Sequence, residues 1–131
     1  MMSVGIVLVS HSHELAKGLL AILQQIQLDV PIAIAGGTDE LAIGTSAIKI
    51  KEAIEEAATD EGVLLLFDLG SAFMNAEIAI ELLEAEVEIV VADAPLVEGA
   101  YVAVVESGLQ KPLSQVVEAV NRVRTTPKIM P

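Results

Sequence analysis

Residues 4–26 read VGIVLVSHSHELAKGLLAILQQI, and two hydrophobic periodicities meet within them. Residues 4–9 are a continuous apolar, β-branched run, the mark of a strand covered on both faces. Leu15, Leu19, Ile22, Leu23 and Ile26 then recur at helical spacing, with Lys17, Gln24 and Gln25 off the stripe. Between the two lies Ser10-His11-Ser12-His13, a polar turn that holds the only two histidines of the chain.

The same alternation continues outward. Residues 30–35 form a second apolar run, closed by Gly36-Gly37, a turn signal. Ile43, Ala47, Ile50, Ile54 and Ala57 make a second helical stripe. Residues 63–67 read as a third strand ended by Asp68-Leu69-Gly70-Ser71; Met74, Ile78 and Leu82 mark a third helix, and residues 87–91 a fourth strand. Ala94-Pro95 breaks the pattern. Tyr101, Val104 and Val105 then suggest a short helix, and Leu113, Val116, Val117, Val120 and Val123 a terminal one after Pro112, with Pro127 and Pro131 in a frayed tail. Strands alternating with helices imply right-handed crossovers and a mainly parallel sheet. The expected fold is an α/β three-layer sandwich with a central sheet of four to five strands flanked by helices. Residues 1–124 are expected to form one domain, followed by a tail over 125–131.

Composition narrows the function. The 131 residues match one domain of typical size, ~100–150 residues, and a 53% apolar content argues against a disordered or fibrous chain. No apolar run approaches the ~20 residues of a membrane span. The net charge is −12, and four of the seven basic residues (Lys111, Arg122, Arg124, Lys128) fall after residue 110. Such a chain disfavours nucleic acid and anionic lipid and suits a basic protein partner. The absence of cysteine removes disulfides, thiolate catalysis and Cys-based metal sites. The first residues lack a basic segment and a small-residue cleavage site, so a cytoplasmic location is expected.

In open parallel sheets, sites lie beyond the carboxyl ends of the strands, near the switch in strand order. That points to residues 10–14, 36–45, 68–75 and 93–99. A lone loop histidine is most often simply solvated. His11, however, directly follows strand one at a helix N-terminus, where free N–H groups and the helix dipole would stabilise a phosphoryl group. His13 falls in the first helical turn, where an exposed bystander is expected. Asp68 closes strand three; if that strand neighbours strand one, its carboxylate can fix the tautomer of His11 and leave the other ring nitrogen as nucleophile. A helix-capping role for Asp68 is an equal alternative. Gly36-Gly37-Thr38 and Gly70-Ser71 could present backbone N–H groups to phosphate. Neither GxxxxGK[ST] nor GxGxxG is present, so a phosphoryl group must arrive on a partner. Glu52, Glu55, Glu56, Glu81, Glu84, Glu86 and Glu88 read as solvated positions, and neither a metal nor a bound cofactor is expected.

Four blocks carry a family resemblance over about residues 3–124: Val7-Leu8-Val9-Ser10-His11-Ser12, Ala35-Gly36-Gly37-Thr38-Asp39 with Ile43-Gly44-Thr45, Asp68-Leu69-Gly70-Ser71-Ala72, and Ala94-Pro95-Leu96-Val97-Glu98-Gly99. In these the sequence resembles the phosphotransferase (DhaM) subunits of dihydroxyacetone kinases that run on phosphoenolpyruvate. Those subunits are relatives of the IIA domain of the mannose-type sugar phosphotransferase system. The resemblance implies that His11 accepts a phosphoryl group from the phosphocarrier HPr. His11 then passes it to ADP held by a DhaL subunit, and the resulting ATP phosphorylates dihydroxyacetone on DhaK, an activity of glycerol metabolism. Asp68 would orient the ring, with Nε2 phosphorylated as in the relatives. Ser10, Ser12, Gly37, Thr38, Gly70 and Ser71 would border the phosphate or partner surface. The family is homodimeric, and since the chain stops at Pro131, a separate donor protein is expected. Two other readings are a mannose-type IIA domain passing phosphate to a IIB partner, and a non-catalytic α/β binding module. The first usually shows a Gly-Thr-His-Gly-like block and a Trp-Gly-Gly-Ser-like loop, which Ser10-His11-Ser12 and Asp68-Leu69-Gly70-Ser71 do not match. The second predicts that His11→Ala is harmless.

Overall fold

The computed structural model describes residues 3–129. Four strands, β1 (Gly5–Ser10), β2 (Ile32–Gly36), β3 (Val63–Phe67) and β4 (Ile89–Val91), form one sheet in the order β2-β1-β3-β4. All three pairings are parallel, with Ile6 opposite Ile32 and Leu64, and Leu64 opposite Val90. The chain runs from β1 to β2 on one side and then returns to place β3 on the other. The switch in strand order therefore lies between the carboxyl ends of β1 and β3.

Alternation along the strands divides the apolar core in two. Ile6 and Leu8 of β1 with Leu64 and Leu66 of β3 face α1 (His13–Ile26), α4 (Leu96–Gly108) and α5 (Leu113–Asn121). Val7 and Val9 with Val63 and Leu65 face α2 (Ala47–Ala57) and α3 (Ala72–Leu82). Both faces of the central strands are covered, which is why β1 reads as unbroken apolar sequence. The architecture is the expected α/β sandwich, with four parallel strands. No helix among the described residues is long and apolar enough to cross a membrane.

Some element details differ from the sequence reading. β4 is confined to Ile89–Val91. The helix expected to be short, α4, runs for 13 residues, because Pro95 starts it and Gly99 lies inside it. A Cβ at Gly99 would come within 2.8 Å of Leu66 Cδ2, so glycine there lets α4 approach β3. Ile43 stands before α2 in an exposed loop. α3 is turned over relative to its expected stripe: Met74, Ile78 and Leu82 face outward, and Ala72, Ala76 and Ala79 face the core. Small residues let that helix sit close to α2, whose Ala53 and Ala57 belong to the same cluster. Leu15, Ile22 and Ile26 of α1 are likewise exposed, and Leu19 and Leu23 carry its packing. Pro131, placed in the expected tail, lies outside the described residues.

Candidate active site

β1 ends at Ser10, and its last residues are held by β2 and β3 on either side. His11 follows, with its backbone tied at both ends: its N–H donates to Asp68 Oδ2 at 3.0 Å, and its carbonyl accepts from the Gly44 N–H at 2.9 Å. Ser12 caps α1, its hydroxyl accepting the Leu15 N–H at 3.2 Å. His11 is thus fixed by its backbone before its ring makes any contact.

The ring then meets the end of β3. His11 Nδ1 lies 2.9 Å from Asp68 Oδ1, and Nε2 lies 2.8 Å from Ser71 Oγ. Ser71 occupies the N-cap position of α3, and its hydroxyl makes no capping bond to that helix. Asp68 also accepts from Ser10 Oγ at 2.8 Å and from the Leu69 N–H at 2.7 Å. Burial raises the Asp68 pKa, but hydrogen bonds from the His11 ring, the His11 N–H, Ser10 and Leu69 outweigh it. The carboxyl is held below its ordinary value of 3.8. Ionised, Asp68 can only accept, so the Nδ1 proton points at it and the Nε2 lone pair is directed at Ser71 and outward. The His11 side chain keeps 20% of its surface open, enough for an incoming group to reach Nε2.

The site combines a nucleophilic nitrogen, a carboxylate that fixes its tautomer, and the first turn of an 11-residue helix beside it. Its position, between the ends of β1 and β3, is the strand-order switch. It is a surface feature. A cavity of about 760 Å³ between α1, α4 and residues 122–128 includes none of His11, Asp68 or Ser71. Among the described residues, no three His, Cys, Asp or Glu side chains are grouped to hold a metal ion.

The other expected contacts sort differently. Ser10 is fully buried, so it does not border the phosphate or partner surface; its hydroxyl is turned inward and bonds Asp68. The hydroxyl of Ser12 is engaged in the α1 cap. The Gly37 N–H is bonded to the Ser10 carbonyl at 3.0 Å and the Thr38 N–H to the Ala42 carbonyl at 2.9 Å, while Thr38 Oγ1 accepts from the Ala42 N–H. These groups shape their own loop. Gly70 is exposed with nothing near its Cα face. His13 is half-buried rather than exposed, because the end of β2 at Gly36 lies against its backbone. Asp68 is not a helix cap, since Ser71 stands at that position. Lys49 is the contributor absent from the sequence reading: its Nζ bonds the carbonyls of Gly36 (2.6 Å) and Thr38 (3.2 Å) and braces the loop beside His11. A lysine on the second helix carries no local signal of that role.

Comparison with known proteins adds the lineage. The family model of the fructose IIA component of the phosphotransferase system, EIIA-man, matches residues 5–117. The phosphoryl donor subunit DhaM of a PEP-dependent dihydroxyacetone kinase from Listeria innocua is 46% identical over 97 residues, covering 74% of this chain and 76% of that one. The phosphotransferase subunit DhaM of the PTS-dependent dihydroxyacetone kinase from Lactococcus lactis is 41% identical over 102 residues, covering 78% and 80%. Among solved structures, a protein of unknown function, EF1359, superimposes with a TM-score of 0.82 at 33% identity over 92% of this chain and 95% of that one. With a matching domain model, relatives of this similarity and a shared fold, the chain belongs to the mannose-type IIA family of the phosphotransferase system, in its DhaM-type branch.

Proposed function

We propose that this protein is a phosphohistidine carrier that serves as the phosphoryl donor of a phosphoenolpyruvate-dependent dihydroxyacetone kinase. The observation that carries the reading is the pairing of His11 Nδ1 with Asp68 at 2.9 Å, which leaves Nε2 at the surface beside the first turn of α3. In the first step Nε2 attacks the phosphorus of phospho-HPr, the N–P bond on the donor breaks, and an Nε2–P bond forms. The Nδ1 proton stays on the ring, and its bond to Asp68 strengthens as the imidazole loses electron density. Ser71 Oγ–H, released from Nε2, turns to a phosphoryl oxygen. In the second step the terminal oxygen of ADP on a DhaL subunit attacks, ATP forms, and the lone pair returns to Nε2. That ATP serves dihydroxyacetone phosphorylation on DhaK.

Phosphoryl transfer asks mainly for position and charge stabilisation around a loose transition state. A rigid, shallow site suits a carrier that two proteins must reach in turn, and supports this role over a pocket enzyme. The DhaM names of the relatives support the kinase over a sugar transporter as the destination. A homodimer and a cytoplasmic location belong to the same reading.

The test is transfer of labelled phosphate from phosphoenolpyruvate through enzyme I and HPr to the wild type, His11→Ala and His13→Ala. Acid-labile label is expected on the wild type and His13→Ala and not on His11→Ala. Adding the ADP-loaded DhaL subunit should discharge the label into ATP. An unlabelled wild type, or a labelled His11→Ala, overturns the reading.

A further inference from the structure

We propose that Ser10 is a positioning residue for His11, its buried hydroxyl setting the Asp68 carboxylate that holds the ring. The inference rests on the phosphohistidine reading for its consequence, and on the structure for its geometry. Ser10 ends β1 with no exposed surface. Its Oγ accepts the Ser12 N–H at 3.0 Å and donates to Asp68 Oδ2 at 2.8 Å. A hydroxyl has one proton. With a lone pair taken by an N–H that can only donate, that proton is free for the carboxylate, which can only accept when ionised. The direction of the chain is therefore fixed: Ser12 N–H to Ser10 Oγ, Ser10 O–H to Asp68 Oδ2.

This has an effect at the other carboxylate oxygen. Ser10 and the His11 N–H together pin Oδ2, which sets the rotation of the carboxylate plane. Oδ1 is then aimed at His11 Nδ1 and the Leu69 N–H. Aimed this way, Asp68 selects the Nδ1–H tautomer and leaves the Nε2 lone pair for phosphorus. Without the Ser10 hydroxyl, Oδ2 keeps one donor, the carboxylate gains freedom to rotate, and the Ser12 N–H loses its acceptor. Serine at the end of a buried strand thus links the first turn of α1 to the end of β3, and the two flanking serines of His11 divide the work. Ser12 caps the helix, and Ser10 orients the acid.

The experiment uses the whole chain with isotope-labelled histidine, as wild type, Ser10→Ala and Ser10→Cys. The cysteine variant keeps most of the volume with a weak donor, and thermal melting checks the fold of each. Ring-nitrogen chemical shifts at about pH 9, above the usual imidazole range, report the share of the Nδ1–H tautomer without any phosphoryl donor. Initial labelling rates from phospho-HPr report the consequence. The wild type should show mainly Nδ1–H. Folded Ser10 variants should show a smaller share and a labelling rate lower by roughly tenfold, the scale of one charge-assisted hydrogen bond, with label still on His11. A wild type that is mainly Nε2–H, or a folded variant with wild-type tautomer and rate, overturns the proposal. A tautomer shift in the variants, with no label accepted by any chain, upholds the geometry and overturns the phosphohistidine reading instead.

Discussion

Each oxygen of Asp68 receives two hydrogen bonds: Oδ2 from Ser10 Oγ and the His11 N–H, Oδ1 from His11 Nδ1 and the Leu69 N–H. An asparagine cannot take this place. Whichever way its amide is turned, the NH2 faces a backbone N–H that has no means of accepting. Asp68→Asn should therefore destabilise the protein by about 1 kcal/mol, the low end of the cost of an unpaired donor, because this corner is only part-buried. It should also slow labelling of His11 by removing the group that fixes the ring. Urea denaturation at pH 7 checks the first effect, and a midpoint equal to that of the wild type refutes it. The pH dependence follows from the direction of the shift. The folded-state pKa of Asp68 is depressed below 3.8, so its contribution is fully present above that value and is lost as pH falls through the folded value. The stability gap between wild type and Asp68→Asn should narrow in acid as the wild-type carboxyl protonates. A gap that stays constant from pH 7 to about pH 3 would mean that the charge of Asp68 does not hold this corner together.

At the level of elements, the site exists because the ends of β1 and β3 and the starts of α1 and α3 are brought within a few ångströms, and glycine controls a neighbouring approach, that of the end of β2 to α1. A Cβ at Gly36 would stand 2.7 Å from His13 Cα and 2.9 Å from the Ser12 carbonyl oxygen, both backbone atoms. Gly36→Ala should push the end of β2 away from α1, costing ~1–3 kcal/mol as overpacking does, and should impair labelling of His11. At Gly70 an added Cβ meets nothing within 4 Å, so Gly70→Ala should fold normally. Thermal melting of the pair checks this, and equal melting temperatures refute it. The strands are legible in the sequence because burial on both faces leaves an unbroken apolar run, and His11 and Asp68 are legible because they stand just past such runs. The outward face of α3 is not. Met74, Ile78 and Leu82 are the large residues at helical spacing, but close packing against α2 selects the alanines instead. Lys49 escapes sequence reading, and so do the contacts that Ser10 and Ser71, both named as candidates, make in the fold, for a different reason. Each acts on a group brought near by the tertiary fold, such as Asp68 for Ser10, 58 positions away, and the carbonyl of Gly36 for Lys49, 13 away.

At the scale of the whole molecule, charge complements the shallow site. Of the seven basic residues, Lys51, Lys111, Arg122, Arg124 and Lys128 have their heads in ion pairs with carboxylates of this chain. Lys49 is spent on loop carbonyls. The concentration of Arg122, Arg124 and Lys128 near the end of the sequence thus gives no outward basic patch, because Glu118, Asp93 and Glu98 answer them. The field that a partner meets is that of a chain at −12. A site at the surface offers little to guide an encounter at short range, so orientation must come from long range, and a donor with a basic face would be drawn and turned by this field. The second-order rate of phosphoryl transfer from such a donor to His11 should fall by roughly tenfold or more as salt rises from about 0.01 M to about 0.15 M, with the Debye length shrinking from ~30 Å to ~8 Å. The label reached at long times should not change, since salt acts on the encounter and leaves the hydrogen-bonded Asp68–His11 geometry in place. A transfer rate that is flat across that range would show that the acidic surface does not steer the donor.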